Sequence, residues 1–147
     1  MSLMKEVEKL RQEMEREKVL ESNSAGDWVY LATPLTSTSW DGDAYSTESA
    51  TAIDLSAVFS VPAGVKAVLV RLACRDSASL GTTGLSVSIG PSATYFYNVS
   101  TIAIGGDVVA SQTAICKCDA NGDIYRRMVA SGAGTMDIWL EILGYLP

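Results

Sequence analysis

Asp41-Gly42-Asp43, directly beside Trp40, is the place in this 147-residue chain where two carboxylates and an aromatic ring come closest in sequence. Paired carboxylates can cleave a glycosidic bond, one acting as acid and the other as nucleophile or base. The same tripeptide is also ordinary loop chemistry, because Asp and Gly stabilise tight turns, and a polar loop tip is the reading adopted. The chain contains no histidine, so neither a Ser-His-Asp nor a Cys-His arrangement can be assembled from it. Enzyme action is not expected, and no cofactor is called for.

Asp119-Ala120-Asn121-Gly122-Asp123 has the composition of a calcium loop but not its spacing. An EF-hand places Gly sixth and Glu twelfth, whereas here Gly is fourth and the twelfth residue is Ala130. Asn-Gly tolerates positive φ, so the segment is expected to be a hairpin turn. Cys74, Cys116 and Cys118 lie in strand-like surroundings with neither a histidine nor a C-x-x-C pair nearby. They read as free thiols that pack as small hydrophobes, and no metal site is expected. Gly81-Thr82-Thr83-Gly84 and Gly105-Gly106 lack the Lys and the following helix of a phosphate loop, so they read as strand connections. Asn98-Val99-Ser100 matches a glycosylation acceptor, and it is discounted because nothing directs the chain to secretion.

The remaining chemistry is aromatic. Trp40, Tyr45, Tyr95 and Tyr97 stand in or beside polar segments, and a ring flanked by Asp, Asn or Ser can stack on a sugar while its neighbours bind the hydroxyls. The candidate ligand-binding set is therefore Trp40, Asp41, Asp43, Tyr45, Tyr95 and Tyr97. Ordinary cross-strand packing is the competing reading of the same residues.

Charge separates the chain into two parts. Residues 1–21 hold five Lys/Arg and six Glu, leaving six basic and eleven acidic residues for the other 126. Such a balance provides no electrostatic footprint for nucleic acid or for an anionic membrane. The N-terminus carries charge throughout rather than an apolar signal region, and the longest apolar stretch is broken by Lys66, Arg71 and Arg75. No membrane insertion is expected.

Positioning begins with a helix. Leu3, Val7, Leu10 and Met14 are spaced four, three and four apart, the d and a positions of one coiled-coil seam. With a at Val7 and Met14, Glu6 and Glu13 fall at g while Arg11 and Lys18 fall at e. Each g acid then faces a basic e residue of a parallel neighbour, so residues 1–21 read as an oligomerisation stem. Its limits are plain: Glu17 occupies the next d position, and two heptads are marginal alone. The alternative is an amphipathic helix packed on its own domain. Residues 22–27 form a short linker, and residues 28–147 form one domain of sufficient size for a core.

Beyond the linker the period is two. Strands are expected at Trp28–Ala32, stopping near Pro34, at Ala52–Leu55, Val58–Val61, Val65–Arg75, Leu85–Ile89, Thr94–Val99, Val108–Cys118, Ile124–Ala130 and Met136–Leu143, with a polar loop from Thr36 to Ser49. Val65–Arg75 is apolar on both faces and should be central in its sheet. Trp139 shares its face with Asp137 and Glu141, at a rim or between subunits. With no second helix expected, the fold class is mainly β: an antiparallel β-sandwich, jelly-roll-like, with a short N-terminal α-helical coiled-coil stem.

A short parallel stem before a Ser/Thr/Gly-rich, histidine-free β-domain resembles the knobs of bacteriophage tail fibres and tail needles. Ile53–Leu72 is also similar to segments of phage virion and tail proteins. The resemblance implies a non-enzymatic virion appendage, made in the host cytoplasm. Its partners would be itself, as a homo-oligomer with trimer favoured over dimer, and a host cell-surface glycan or other virion proteins. A lectin-like carbohydrate-binding module and a purely structural capsid or tail component are the alternative functions.

Overall fold

The structure is a computed structural model that describes residues 2–24, 27–77, 84–104 and 107–147, with the side chains of residues 16–24 outside the description. The expected connections at Gly26, Gly81 to Thr83 and Gly105-Gly106 lie outside the described residues. Among these residues there are nine strands in two antiparallel sheets, one long helix and one very short one.

Helix α1 runs Leu3–Ser24, three residues past the expected end of the stem. Strand β1 is Val29–Leu35, and it continues through Pro34 where a stop was expected. An edge strand can accommodate a proline because the missing N–H need not bond to a neighbour, and the register against β9 slips between Tyr30 and Leu35. The expected polar loop 36–49 holds a 3-10 turn at Thr38–Trp40 and a strand, β2, at Asp41–Tyr45. Strand β3 is Glu48–Ile53.

The strand expected at Val58–Val61 is instead helical: α2 spans Leu55–Phe59. Asp54 decides the outcome, since its carboxylate accepts from the Ala57 N–H at 3.1 Å and the Ser56 hydroxyl at 2.8 Å, forming an N-cap. Ser60 closes the turn in the left-handed region at φ 61°. Leu55 and Phe59, one helical turn apart, are both buried.

The two sheets are built from β4 (Ala67–Asp76), β5 (Ser86–Gly90), β6 (Val99–Ile102), β7 (Ala110–Lys117), β8 (Ile124–Val129) and β9 (Met136–Leu146) together with the first three strands. One sheet has the order β1-β9-β4-β7, with β2 also pairing β9; the other has the order β3-β8-β5-β6. Strand β4 is central, as its two-sided apolar pattern requires. Val68, Val70, Leu72 and Cys74 of β4 face the same core as Met136, Ile138, Leu140 and Ile142 of β9, and Val87, Ile89, Ile124 and Met128 close it from the other sheet.

The turn at Asn121-Gly122 is present, with Gly122 at φ 82°, but it does not make a hairpin. Strand β7 pairs with β4 and β8 pairs with β3 and β5, so the turn carries the chain from one sheet to the other. Asp119 holds it by accepting from the N–H groups of Asn121 and Asp123, both at 2.9 Å. A Cβ on Gly122 would lie 2.7 Å from the Gly64 nitrogen, so glycine is needed for space as well as for φ. Thr94–Val99, expected as a strand, is mostly connection. A Cβ at Gly90 would meet the Tyr95 carbonyl oxygen at 2.3 Å, showing how closely this segment folds back on β5.

All three thiols are free; Cys74 and Cys116 are fully buried and Cys118 is half-buried. Burial pushes the Cys74 thiol up to about 11, against a weak bond to the Thr101 carbonyl and with Asp76 adding to the rise. Cys116 is pushed to about 12 by burial and by Cys118, and Cys118 to about 12 by burial with Asp119 and Asp123 contributing. Thiolate is the reactive species. Iodoacetamide at pH 8 should therefore modify the folded chain at least ~100-fold more slowly than the denatured chain, with mass spectrometry then showing three additions. Rapid labelling of Cys74 in the folded state would contradict this packing.

Candidate functional site

Two groups of residues were singled out above for function, and the structure treats them differently. On α1 the seam is uncovered: Leu3, Val7, Leu10 and Met14 are 76%, 55%, 60% and 61% exposed. No described residue outside α1 buries this stripe. Glu6 and Arg11 are exposed and Glu13 is half-exposed. Arg11 also bonds Glu8 of its own helix at 2.9 Å, so an intrachain pair competes with the g-to-e pair expected between neighbours. The side chain of Lys18 lies outside the described residues. Among the described residues no helix is long and apolar enough to cross a membrane.

The aromatic set is divided. Trp40 is only 5% exposed. Tyr45 stacks on it with centroids 4.7 Å apart and planes 16° from parallel, and the Arg126 guanidinium lies 5.0 Å from the indole centroid. Arg126 is held by Glu48 at 3.0 Å and donates to the Ala52 carbonyl at 3.3 Å. The Tyr45 hydroxyl donates to the Ser39 carbonyl. Burial raises the Tyr45 phenol above its ordinary value, opposed by Arg126 and reinforced by Asp43 and Glu48. With Tyr45 and Arg126 both against the ring, Trp40 offers no open face to a sugar; as a stacking platform it is corrected to a core residue.

Asp41 and Asp43 are exposed on β2, an edge strand rather than a loop tip. Asp41 pairs with Trp139 and Asp43 with Ile138, across an irregularity at Gly42. Gly42 has φ 87°, and a Cβ there would approach the Trp139 indole nitrogen to 3.0 Å. Trp139 is half-buried by this backbone, with the Arg75 guanidinium 5.6 Å from its centroid. Arg75 is itself fixed by Asp137 at 2.7 Å and Asp107 at 3.1 Å.

Tyr95 and Tyr97 remain open, at 53% and 57% exposure. The Ser92 hydroxyl accepts from the Tyr95 N–H at 3.0 Å and fixes the turn. The Phe96 and Tyr97 rings lie 4.3 Å apart, and Arg127 donates to the Tyr97 hydroxyl at 2.8 Å while its guanidinium stands 5.4 Å from the Phe96 centroid. Arg126 and Arg127 are consecutive on β8, and successive strand residues point to opposite faces. That alternation places the Trp40–Tyr45 stack and the Tyr97 surface on opposite sides of one sheet.

Sequence reasoning passed over Phe96 and Arg127, which complete the Tyr97 surface, and an apolar edge formed by Ile102, Ile104, Val108, Val109 and Ile115, which are 44–64% exposed. Their signal was consecutive apolar residues on both parities next to the polar run Ser111-Gln112-Thr113. No group of His, Cys, Asp or Glu among the described residues could hold a metal ion. Neither a protein-family model nor a curated protein sequence matches this chain.

Proposed function

We propose that this chain is a non-enzymatic virion appendage domain of the bacteriophage fibre-tip or needle-tip type. In this reading it is a homotrimer in which a short parallel coiled coil carries jelly-roll-like β-sandwich knobs at one end for attachment to a host surface. The observation that carries the reading is the uncovered seam Leu3, Val7, Leu10 and Met14, flanked by charges that complement a parallel copy. Four large apolar side chains on one exposed helical stripe are stabilised by burial against equivalent stripes. Light scattering on the full chain should give three times the 15.6 kDa chain mass at micromolar concentration. Leu10→Asp should raise the dissociation constant at least ~10-fold, since it places a charge in the seam. A monomeric wild type would sink the proposal.

A second reading, a lectin-like module, is favoured by the exposed Tyr95 and Tyr97 with Arg127 beside them. Exposed rings can stack on sugar faces, and knobs held in parallel would gain avidity. Tyr97→Ala and Tyr95→Ala should then abolish glycan-array binding without altering thermal stability. An array without hits leaves the third reading, a structural tail or capsid piece that meets other virion proteins.

A further inference from the structure

Exposed apolar side chains are concentrated on one edge of the β-domain. Ile104 and Val108 are brought side by side by an isolated antiparallel bridge, Val109 follows directly, Ile102 ends β6, and Ile115 stands on β7. Scattered exposed apolar residues are ordinary, but here Ile102, Ile104, Val108 and Val109 are exposed within one short stretch of chain, and Ile115 is exposed further along β7.

The backbone of this edge has the same character. Among the described strands β7 pairs with β4 alone, so its other side is an edge of the described sheet. At its end, the Lys117 N–H is taken by the Asn98 side-chain oxygen at 2.6 Å, on the side away from β4. Antiparallel strands alternate the direction of their N–H and C=O groups, so Ser111, Thr113 and Ile115 also direct theirs outward. No described residue pairs with them along the strand. Natural edges are blunted by Pro, by charge or by a bulge; β7 has neither Pro nor charge before Lys117, and on β1 the proline, Pro34, lies beyond Tyr30 toward the far end of the strand.

Sheet register supplies the opposite partner. Tyr30 pairs with Gly144, Gly144 with Leu69, and Leu69 with Ile115, so these four lie in one row across β1, β9, β4 and β7. Tyr30 ends the row on one edge of the sheet at 75% exposure, and Ile115 ends it on the other at 52%. A cyclic trimer requires two different patches per chain, each meeting the other on the next copy, whereas a two-fold dimer uses one patch twice. A rotation about an axis along the strands brings Ile115 of one copy level with Tyr30 of the next.

We infer that the β6–β7 edge, centred on Ile115 and Val108, is a head-to-tail contact that receives the Tyr30 edge of a second copy of this chain. The inference rests on the oligomeric reading above and assigns the surface through which the domains, rather than the stems, associate. Only four residues separate α1 from β1, so a bundled stem would hold the domains within reach of one another.

Cysteine pairing in the full chain tests this contact. Within one chain Tyr30 and Ile115 are three strand spacings apart, ~14 Å, beyond the ~7 Å a disulfide can span. The chain carrying both Tyr30→Cys and Ile115→Cys should therefore form two- and three-chain covalent species on mild oxidation, seen on non-reducing denaturing gels. Each single variant should remain uncrosslinked, as should the wild type with its native thiols packed inside. A ladder from Ile115→Cys alone would indicate symmetric edge pairing and overturn the inference. An uncrosslinked double variant whose mass is still that of an oligomer would also overturn it while leaving the oligomeric reading intact. Ile115→Lys combined with Val108→Asp gives an independent arm: the dissociation constant should rise at least ~10-fold, and an unchanged dilution series would count against the contact. If the wild type is monomeric, both the oligomeric reading and this contact fail together.

Discussion

Trp40→Ala is expected to lower the stability of the folded chain by about 3–5 kcal/mol, the range for removing a buried large aromatic side chain. The melting temperature should fall by roughly 10–15 °C. The indole is 5% exposed and belongs to the main core cluster. Its loss would strip the stacking partner from Tyr45 and the aromatic face from Arg126. Arg126, still paired with Glu48, would then stand beside a cavity, with its Nε already lacking a hydrogen-bond partner among the described residues. Thermal and urea melts followed by near-ultraviolet circular dichroism would measure the change. Tyr97→Ala, at an exposed ring, should shift the midpoint by no more than ~0.5 kcal/mol. Equal midpoints for Trp40→Ala and wild type would refute the packing described for this cluster.

Asp76→Ala should cost about 3 kcal/mol, the order expected when several hydrogen bonds to a charged acceptor are lost together. Asp76 is fully buried at the end of the central strand β4. Its carboxylate accepts from the Ser131 N–H at 2.9 Å, the Ser131 hydroxyl at 2.5 Å and the Thr135 hydroxyl at 3.1 Å. Those donors belong to the connection between β8 and β9, so one side chain ties the sheet-to-sheet crossing to the middle of the larger sheet. Asp76→Asn is nearly isosteric but turns one acceptor into a donor facing other donors. It should therefore lose at least half as much as the alanine variant, and limited proteolysis should open the chain first between residues 131 and 135. An asparagine variant as stable as wild type would show that shape, not acceptor capacity, holds the turn.

What the residue pattern conveyed, and what it did not, follows from where the deciding interaction lies. Strands β4 and β9 were legible because their own side chains report burial: Val68, Val70 and Leu72 alternate inward, as do Ile138, Leu140 and Ile142. Strand β2 was not, because Asp41, Asp43 and Ala44 are all exposed and its identity comes from backbone pairing with β9, about ninety residues away. At Leu55–Phe59, β-forming Val58 and Phe59 were outweighed by the Asp54 cap, a case of local capping overriding propensity. The Asn-Gly turn was located correctly, yet whether its flanking strands pair depends on the partners each finds elsewhere. The same holds for the candidate site. Trp40 and Tyr45 are five residues apart and meet as expected for neighbours, but Arg126, which completes their burial, lies in the other sheet. The helix at the N-terminus, by contrast, was legible from its own spacing, because α1 forms by local hydrogen bonds that need no distant residue.

Strand β9 pairs with β1, β2 and β4, so three strands of the larger sheet depend on the segment Met136–Leu146. During synthesis, β4 emerges some sixty residues before that partner begins. At ~5–20 residues per second, its core face of Val68, Val70 and Leu72 waits on the order of 3–12 s with only β7 able to pair with it in the meantime. Apart from the β4–β7 pair, the larger sheet is thus assembled only once Met136–Leu146 is available, and until then the core face of β4 stays open to aggregation and to chaperone capture.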